Sequence, residues 1–233
     1  MGSIIPMLET IQKIFTLDNI LFMLKGTKIS LFVAVCCTTC GTILGIIAAS
    51  LKTSSSKVLN AIGNFYVELI RGTPMLLQLS IFYLGIPMLY QMITGKYFAV
   101  NELAVGIAAI GINSGAYSCE LIRGAINSID KGQWEAGKAI GLNRRQIMSK
   151  IILPQSFKII VPSMANEFIT LIKDSSLVST IGVVDLTKTS TILGAKYYNY
   201  FFPMIGAGIV YLVLTLVTAK ITGIVERKMA ESD

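Results

Sequence analysis

Gln133-Trp134-Glu135-Ala136-Gly137-Lys138-Ala139-Ile140-Gly141, running on to Ile151-Ile152-Leu153-Pro154, is a charged island in an apolar chain. Lys131, Lys138, Arg144, Arg145 and Lys150 make it the densest basic cluster in the sequence. Apolar runs long enough to cross a bilayer flank it. A cation-rich, helix-forming insert between such runs predicts a surface that docks something on one side of a membrane.

Composition supports the membrane setting. The 233 residues are 53% hydrophobic and 14% charged, with a mean hydropathy of +0.68, where soluble domains carry about a quarter charged residues. The net charge of +7 is scattered between apolar runs and has no aromatic-interleaved basic face. It therefore fits loops facing anionic lipid and not nucleic acid. With no histidine in the chain, the commonest general base and metal ligand is missing, and no metal site is expected. Cys37-Thr38-Thr39-Cys40 has the CxxC spacing but lies inside an apolar run without a second pair; it reads as small residues of a helix. The N-terminus does not read as a cleaved signal peptide, because no cleavage-like site follows a short apolar region.

A spanning helix needs about 20 mostly apolar residues. On that measure, spans are expected at 29–51, 75–93, 103–122, 155–172 and 201–224. Residues 1–28 read as an amphipathic, extracytoplasmic interfacial segment, and 29–233 as an all-α transmembrane domain whose cytoplasmic loop covers about 123–154. Cys37, Gly41, Gly45 and Ala49 recur every fourth position on the first span, and Gly111 and Gly115 do so on the third. Both are seams that let helices approach closely. Glu68 and Arg71, three apart, are expected to pair. The stretch 173–196 reads as a polar connection. With the insert placed inside, the inner segments hold 13 of the 20 Lys and Arg, which predicts an outer N-terminus and a cytoplasmic C-terminus.

The fourth span is too polar to face lipid. Ser163, Asn166, Glu167 and Thr170 fall on one helical face, and Asn113, Ser114 and Tyr117 share a face of the third span, with Glu120 a turn beyond. An ionised Glu167 at membrane depth needs a cation, water or a proton. Two readings stand side by side: a pocket for a small polar substrate, and hydrogen bonding that glues the bundle. Pro162, just before this face, is expected to bend the helix. No GxxxxGK[ST] loop and no acidic relay occurs, so energy for active transport has to enter through a partner at the basic insert. An ATPase-independent carrier or a channel would also use polar membrane residues, but neither requires such an insert.

Glu135-Ala136-Gly137-x3-Gly141-x9-Ile151-x-Leu153-Pro154 resembles the EAA loop of ABC importer permeases. Glu68-Leu69-Ile70-Arg71-Gly72-Thr73-Pro74, Ala116-Tyr117-Ser118-Cys119-Glu120-Leu121-Ile122-Arg123-Gly124 and Leu171-Ile172-Lys173-Asp174-Ser175-Ser176-Leu177 are similar to signatures of the polar amino-acid permease subfamily. The resemblance implies a type I importer permease with five spans in a bacterial inner membrane, working as a dimer, with a homodimer expected. It implies cytoplasmic ATP-binding subunits that hold ATP and magnesium, none of which this chain would bind, so the chain itself would not be an enzyme. It also implies an extracytoplasmic amino-acid-binding protein. Glu135, Ala136, Gly137 and Gly141 map onto the docking loop, with Arg144 and Arg145 as neighbouring cations and Pro154 and Pro162 as hinges. Gly137 stands where the family usually has Ala, which is expected to loosen the helix. The family does not fix the substrate. Glu167, with Glu102 at the outer mouth, leans towards arginine, lysine or histidine, and glutamine or another neutral polar amino acid is the alternative.

Overall fold

The computed structural model describes residues 4–230, which are almost wholly helical. In chain order the helices are α1 (Ile4–Ile14), α2 (Leu17–Lys52), α3 (Lys57–Arg71), α4 (Met75–Ser80), α5 (Ile86–Thr94), α6 (Glu102–Asn127), α7 (Lys131–Ala139), α8 (Arg144–Ile147), α9 (Leu153–Asp174), α10 (Leu186–Tyr197) and α11 (Phe201–Ala230). Among the described residues, four stretches are long and apolar enough to cross a membrane: α2, Met75–Thr94, α6 and Phe201–Ile224. The 22 residues of α9 give it spanning length, about 33 Å at 1.5 Å per residue, but not the composition.

Two boundaries differ from expectation. The helix that carries the first expected span, 29–51, begins earlier, at Leu17. Lys25 and Lys28 interrupt the hydropathy, but they lie on the exposed side while Met23, Thr27 and Ser30 continue a buried stripe, so the helix has no reason to end there. The stretch 173–196 is not an open connection. It folds into a 3-10 turn, Ser175–Ile181, followed by α10.

Two prolines are accommodated by the same device. A proline ring clashes with the carbonyl four residues back. Ahead of Pro87 the chain widens into a π turn, Ile81–Gly85, and ahead of Pro154 into another, Met148–Ile152. Ile86 N then donates to Ile81 O, and Leu153 N to Met148 O. The carbonyls facing the rings, those of Tyr83 and Lys150, lie inside these wider turns. Pro162 has no such turn, and α9 continues through it as an α-helix. Arg144 to Asp174 thus forms one uninterrupted helical stretch that contains both Pro154 and Pro162.

The helices gather into two compact units. The first contains the chain up to Cys36, Met75–Ile110 and Leu171–Val217. Its core has two clusters: Met23, Leu186, Leu193 and Ala207, and Leu79, Ala109 and Ile181. Gly26 lets α2 meet the start of α10; a Cβ there would lie 2.7 Å from the carbonyl oxygen of Asp185.

The second unit contains Cys37–Pro74, Gly111–Thr170 and the chain from Thr218 on. Ala48, Ala49, Val67, Ala116, Cys119 and Ile122 form its core. Here the small-residue seam is used within the chain: a Cβ on Gly41 would lie 2.5 Å from Ser114 Oγ, and one on Gly45 2.5 Å from Ser118 Cβ. Backbone approach this close needs glycine. The cysteines are free thiols, with Cys37 and Cys119 buried.

Candidate functional site

The second unit carries two arrangements with functional chemistry. The first follows from the polar faces of α6 and α9. Ser114 Oγ donates to Glu167 Oε1 at 3.2 Å, so the structure joins one residue from each predicted face. Asn113 is buried beside Ser114. On α9, Asn166 and Thr170 are exposed and Ser163 half-buried. Two of these hydroxyls turn back to their own helix, Ser163 Oγ donating to Ile159 O at 2.9 Å and Thr170 Oγ1 to Asn166 O at 3.3 Å. Glu102, exposed in the first turn of α6, belongs to the other compact unit.

Tyr117 goes elsewhere. The Arg71 guanidinium lies over its ring, 5.2 Å from the centroid, and both line a cavity of about 400 Å³ with Lys52, Val67, Glu68, Gly72 and Glu120. The expected Glu68–Arg71 pair does not form: the ion pairs among the described residues are Lys52–Glu120 at 2.7 Å and Arg123–Glu120 at 3.4 Å. The reason is tertiary, since an aromatic face on another helix competes for the guanidinium. Sequence reasoning thus missed Lys52, Glu68 and Arg71 as cavity residues. The usable signal was an arginine at a helix end with a tyrosine, and not only a glutamate, to receive it.

The second arrangement is the basic insert. α7 starts under an Asp130 cap, whose Oδ1 accepts from Gly132 N at 2.6 Å. Asn143 and Gln146 form a reciprocal capping box at the start of α8, at 3.0 and 2.9 Å. Between them the chain reverses at Gly141, whose φ of +83° suits glycine. The reversal lays Ile147 on Gly137; a Cβ there would sit 2.8 Å from Ile147 Cγ1. Gly137 therefore makes a close contact and does not merely loosen α7. Glu135, Ala136, Lys138, Gly141, Arg144 and Arg145 are exposed on the resulting hairpin. Trp134, Lys138, Arg144 and Ile147 line a hollow of about 390 Å³ on it. This is an exposed helical face that combines an aromatic ring with cations, joined through the π turn to α9.

Comparison with known proteins gives this geometry a setting. Residues 41–231 match the family of binding-protein-dependent transport system inner membrane components. A Rickettsia bellii chain named as a putative glutamine transport system permease protein, GlnP, is 41% identical over 92% of this chain and 95% of its own length. The arginine transport system permease protein ArtQ of Bacillus subtilis is 40% identical over 94% of this chain and 97% of its own. A crystal structure of an amino acid ABC transporter with histidines superposes with a TM-score of 0.84 at 35% identity, covering 91% of this chain and 95% of that one.

Proposed function

The chain belongs to the family of binding-protein-dependent transport system inner membrane components, and on that premise we propose how its two arrangements divide the work of an amino-acid ABC permease. The exposed α7–α8 hairpin receives a cytoplasmic ATP-binding subunit. That subunit holds ATP and magnesium, and the present chain contributes no hydrolytic chemistry. A second copy of the chain completes the membrane assembly, and an extracytoplasmic binding protein supplies the amino acid. The N-terminus lies outside and the C-terminus inside, as the distribution of basic residues favours.

The substrate is a polar amino acid with a cationic side chain. The observation that carries this reading is the Ser114–Glu167 contact. It holds a carboxylate against a hydroxyl of α6, on a helix too polar for lipid, and a carboxylate in that setting favours a guanidinium or ammonium over an anionic side chain. Relatives named for arginine and for glutamine transport both occur, so the acid and not the kinship does the choosing. Because Arg144 to Asp174 is one helical stretch, displacement of the hairpin by the ATP-binding subunit moves the helix that carries Glu167.

The reading is tested with the permease reconstituted in liposomes with its ATP-binding subunit, measuring ATPase stimulation by arginine and by glutamine. Glu167→Gln is expected to abolish arginine stimulation and retain or raise that of glutamine. Arginine stimulation that persists undiminished would overturn the cationic assignment and select the neutral one. Glu135→Lys is expected to prevent co-purification of the ATP-binding subunit; unaltered co-purification would remove the hairpin from the docking role.

A further inference from the structure

Lys196-Tyr197-Tyr198-Asn199-Tyr200-Phe201 turns the chain from α10 into the apolar span of α11. Tyr198 closes α10 with a φ of +51°, and among the described residues it is the one non-glycine residue with a positive φ. Glycine is the usual residue at a helix end of this shape, so a tyrosine is held here against backbone strain. Its side chain is 96% exposed. The neighbouring rings are fixed. Tyr197 Oη accepts from Asn19 Nδ2 at 2.9 Å, and Lys196 Nζ lies 5.0 Å from the Tyr197 ring centroid. The Tyr200 ring lies where a Cβ on Gly194 would collide with it, and Phe201 meets Phe202 edge to face. The corner is thus a stiff mount that presents one phenol outward.

Asn19 carries the arrangement to α1. It is buried, and the same Nδ2 donates at 2.7 Å to the carbonyl of Ile14, the last residue of α1. Apolar residues at 7, 8, 11 and 14 share one face of α1. Ile14 is fully buried, but Met7 and Leu8 are 48% and 53% exposed, so the stripe runs out of the core. Along the corner the side chains follow the polarity gradient of a bilayer surface. A cation at 196 comes first, then phenols at 197, 198 and 200, phenyls at 201 and 202, and exposed Met204 and Ile205. Tyrosine rings collect at that boundary, and lysine heads reach back from it to phosphate. A patch for a soluble partner is closed by a polar rim, whereas this one runs on into an apolar span. We propose that this corner and the outward half of α1 form a phospholipid-headgroup surface. Tyr198 sits among the headgroups, Lys196 meets lipid phosphate, and Met7 and Leu8 enter the same leaflet. The inference rests on the outer placement of the N-terminus only for which leaflet this is.

The test reads depth from a tryptophan placed on the surface. The full-length chain is reconstituted in vesicles of phosphatidylcholine and phosphatidylglycerol, with part of the lipid brominated either near the headgroup or near the chain end. Tyr198→Trp and Leu8→Trp each add one tryptophan to the single native one, Trp134, so the wild type supplies the baseline. For both variants the added emission is expected to be quenched at least about twofold more by the shallow bromines than by the deep ones. Lys196→Glu in the Tyr198→Trp chain is expected to lower the shallow quenching, and unchanged quenching would remove the phosphate contact. Added emission that aqueous iodide quenches and brominated lipid does not would place the ring in water, open to a soluble partner, and overturns the inference. Emission that neither quenches would place it against another protein surface, such as a second copy, and overturns it as well. The leaflet is read separately. Ala195→Cys, at an exposed position one residue before the corner, is expected to take a membrane-impermeant maleimide in intact cells, beyond any labelling of the wild type's own cysteines. Labelling only after permeabilisation overturns the outer placement, and the headgroup surface then stands or falls on the quenching alone.

Discussion

Lys52 Nζ stands 2.7 Å from Glu120 Oε1, tying the end of α2 to α6, and Arg123 reaches the same oxygen at 3.4 Å. The Lys52 and Glu120 side chains are only 11% and 24% exposed. Removing a partner from such a pair leaves a charge with little solvent to compensate it. Lys52→Met leaves Glu120 with Arg123, whereas Glu120→Gln leaves two cations facing each other. The expected losses are about 1 kcal/mol for Lys52→Met and about 2 kcal/mol for Glu120→Gln. Thermal unfolding of the detergent-purified protein checks the order, and a Lys52→Met protein less stable than Glu120→Gln would contradict it.

The α2–α6 seam predicts a contrast between two glycines. A Cβ at Gly45 would lie 2.5 Å from Ser118 Cβ and 3.0 Å from the Cys119 backbone nitrogen, neither of which can move aside cheaply. At Gly124, near the end of α6, a Cβ would meet nothing within 4 Å. Gly45→Ala is expected to destabilise by roughly 1–3 kcal/mol through overpacking. Gly124→Ala is expected to be neutral, or stabilising by up to about 1 kcal/mol, because alanine is the better helix former. Equal melting temperatures for the two variants would show that the seam is looser than the distances indicate.

Much of this arrangement can be read from residue spacing, because membrane helices have few ways to satisfy their polar atoms. Small residues at 37, 41, 45 and 49 have to meet another backbone, and Gly41 and Gly45 meet α6. Polar residues at 163, 166, 167 and 170 have to avoid lipid, and Glu167 meets Ser114. The hidden parts depend on tertiary partners. Spacing pairs Arg71 with its helical neighbour Glu68 and cannot reveal that Tyr117 lies beneath the guanidinium.

α10 is hidden for another reason. Its hydroxyls read as loop-forming, yet Thr189 donates to Leu186 O and Ser190 to Thr187 O, both at 2.7 Å. That internal satisfaction allows both residues to be buried. Asp185 followed by Leu186-Thr187-Lys188 is the helix-start signal available in the sequence.

The docking hairpin supplies two backbone predictions. Gly141 has a φ of +83°, and a Cβ there would meet nothing within 4 Å, so Gly141→Ala carries only the left-handed penalty, about 1–2 kcal/mol. Gly141→Asn should cost less, because asparagine tolerates this conformation. Gly137→Ala meets Ile147 instead, at 2.8 Å. It should weaken recruitment of the ATP-binding subunit, and Ile147→Ala in the same chain should restore part of the loss. Pull-down of that subunit measures all four variants, and strictly additive losses at 137 and 147 would contradict the contact.

Asp185 supplies a pH prediction outside the spans. It is fully buried at the start of α10. Its Oδ1 accepts from Lys188 N at 2.8 Å, and its Oδ2 from the Tyr211 hydroxyl at 3.2 Å. Burial pushes its carboxyl above the usual carboxylate range, and the hydrogen bonds only partly offset this. An acid that holds its proton more tightly when folded lends stability at low pH. That contribution is lost as pH rises from the unfolded value, about 3.9, to the raised folded value, and is constant above it. Asp185→Asn cannot titrate, yet its side-chain oxygen can still accept from Lys188 N. The wild-type melting temperature is therefore expected to fall relative to that of Asp185→Asn across this window and to run parallel above it. A difference between the two proteins that stays constant from about pH 4 upwards would mean that the buried carboxyl titrates alike in the folded and unfolded chains.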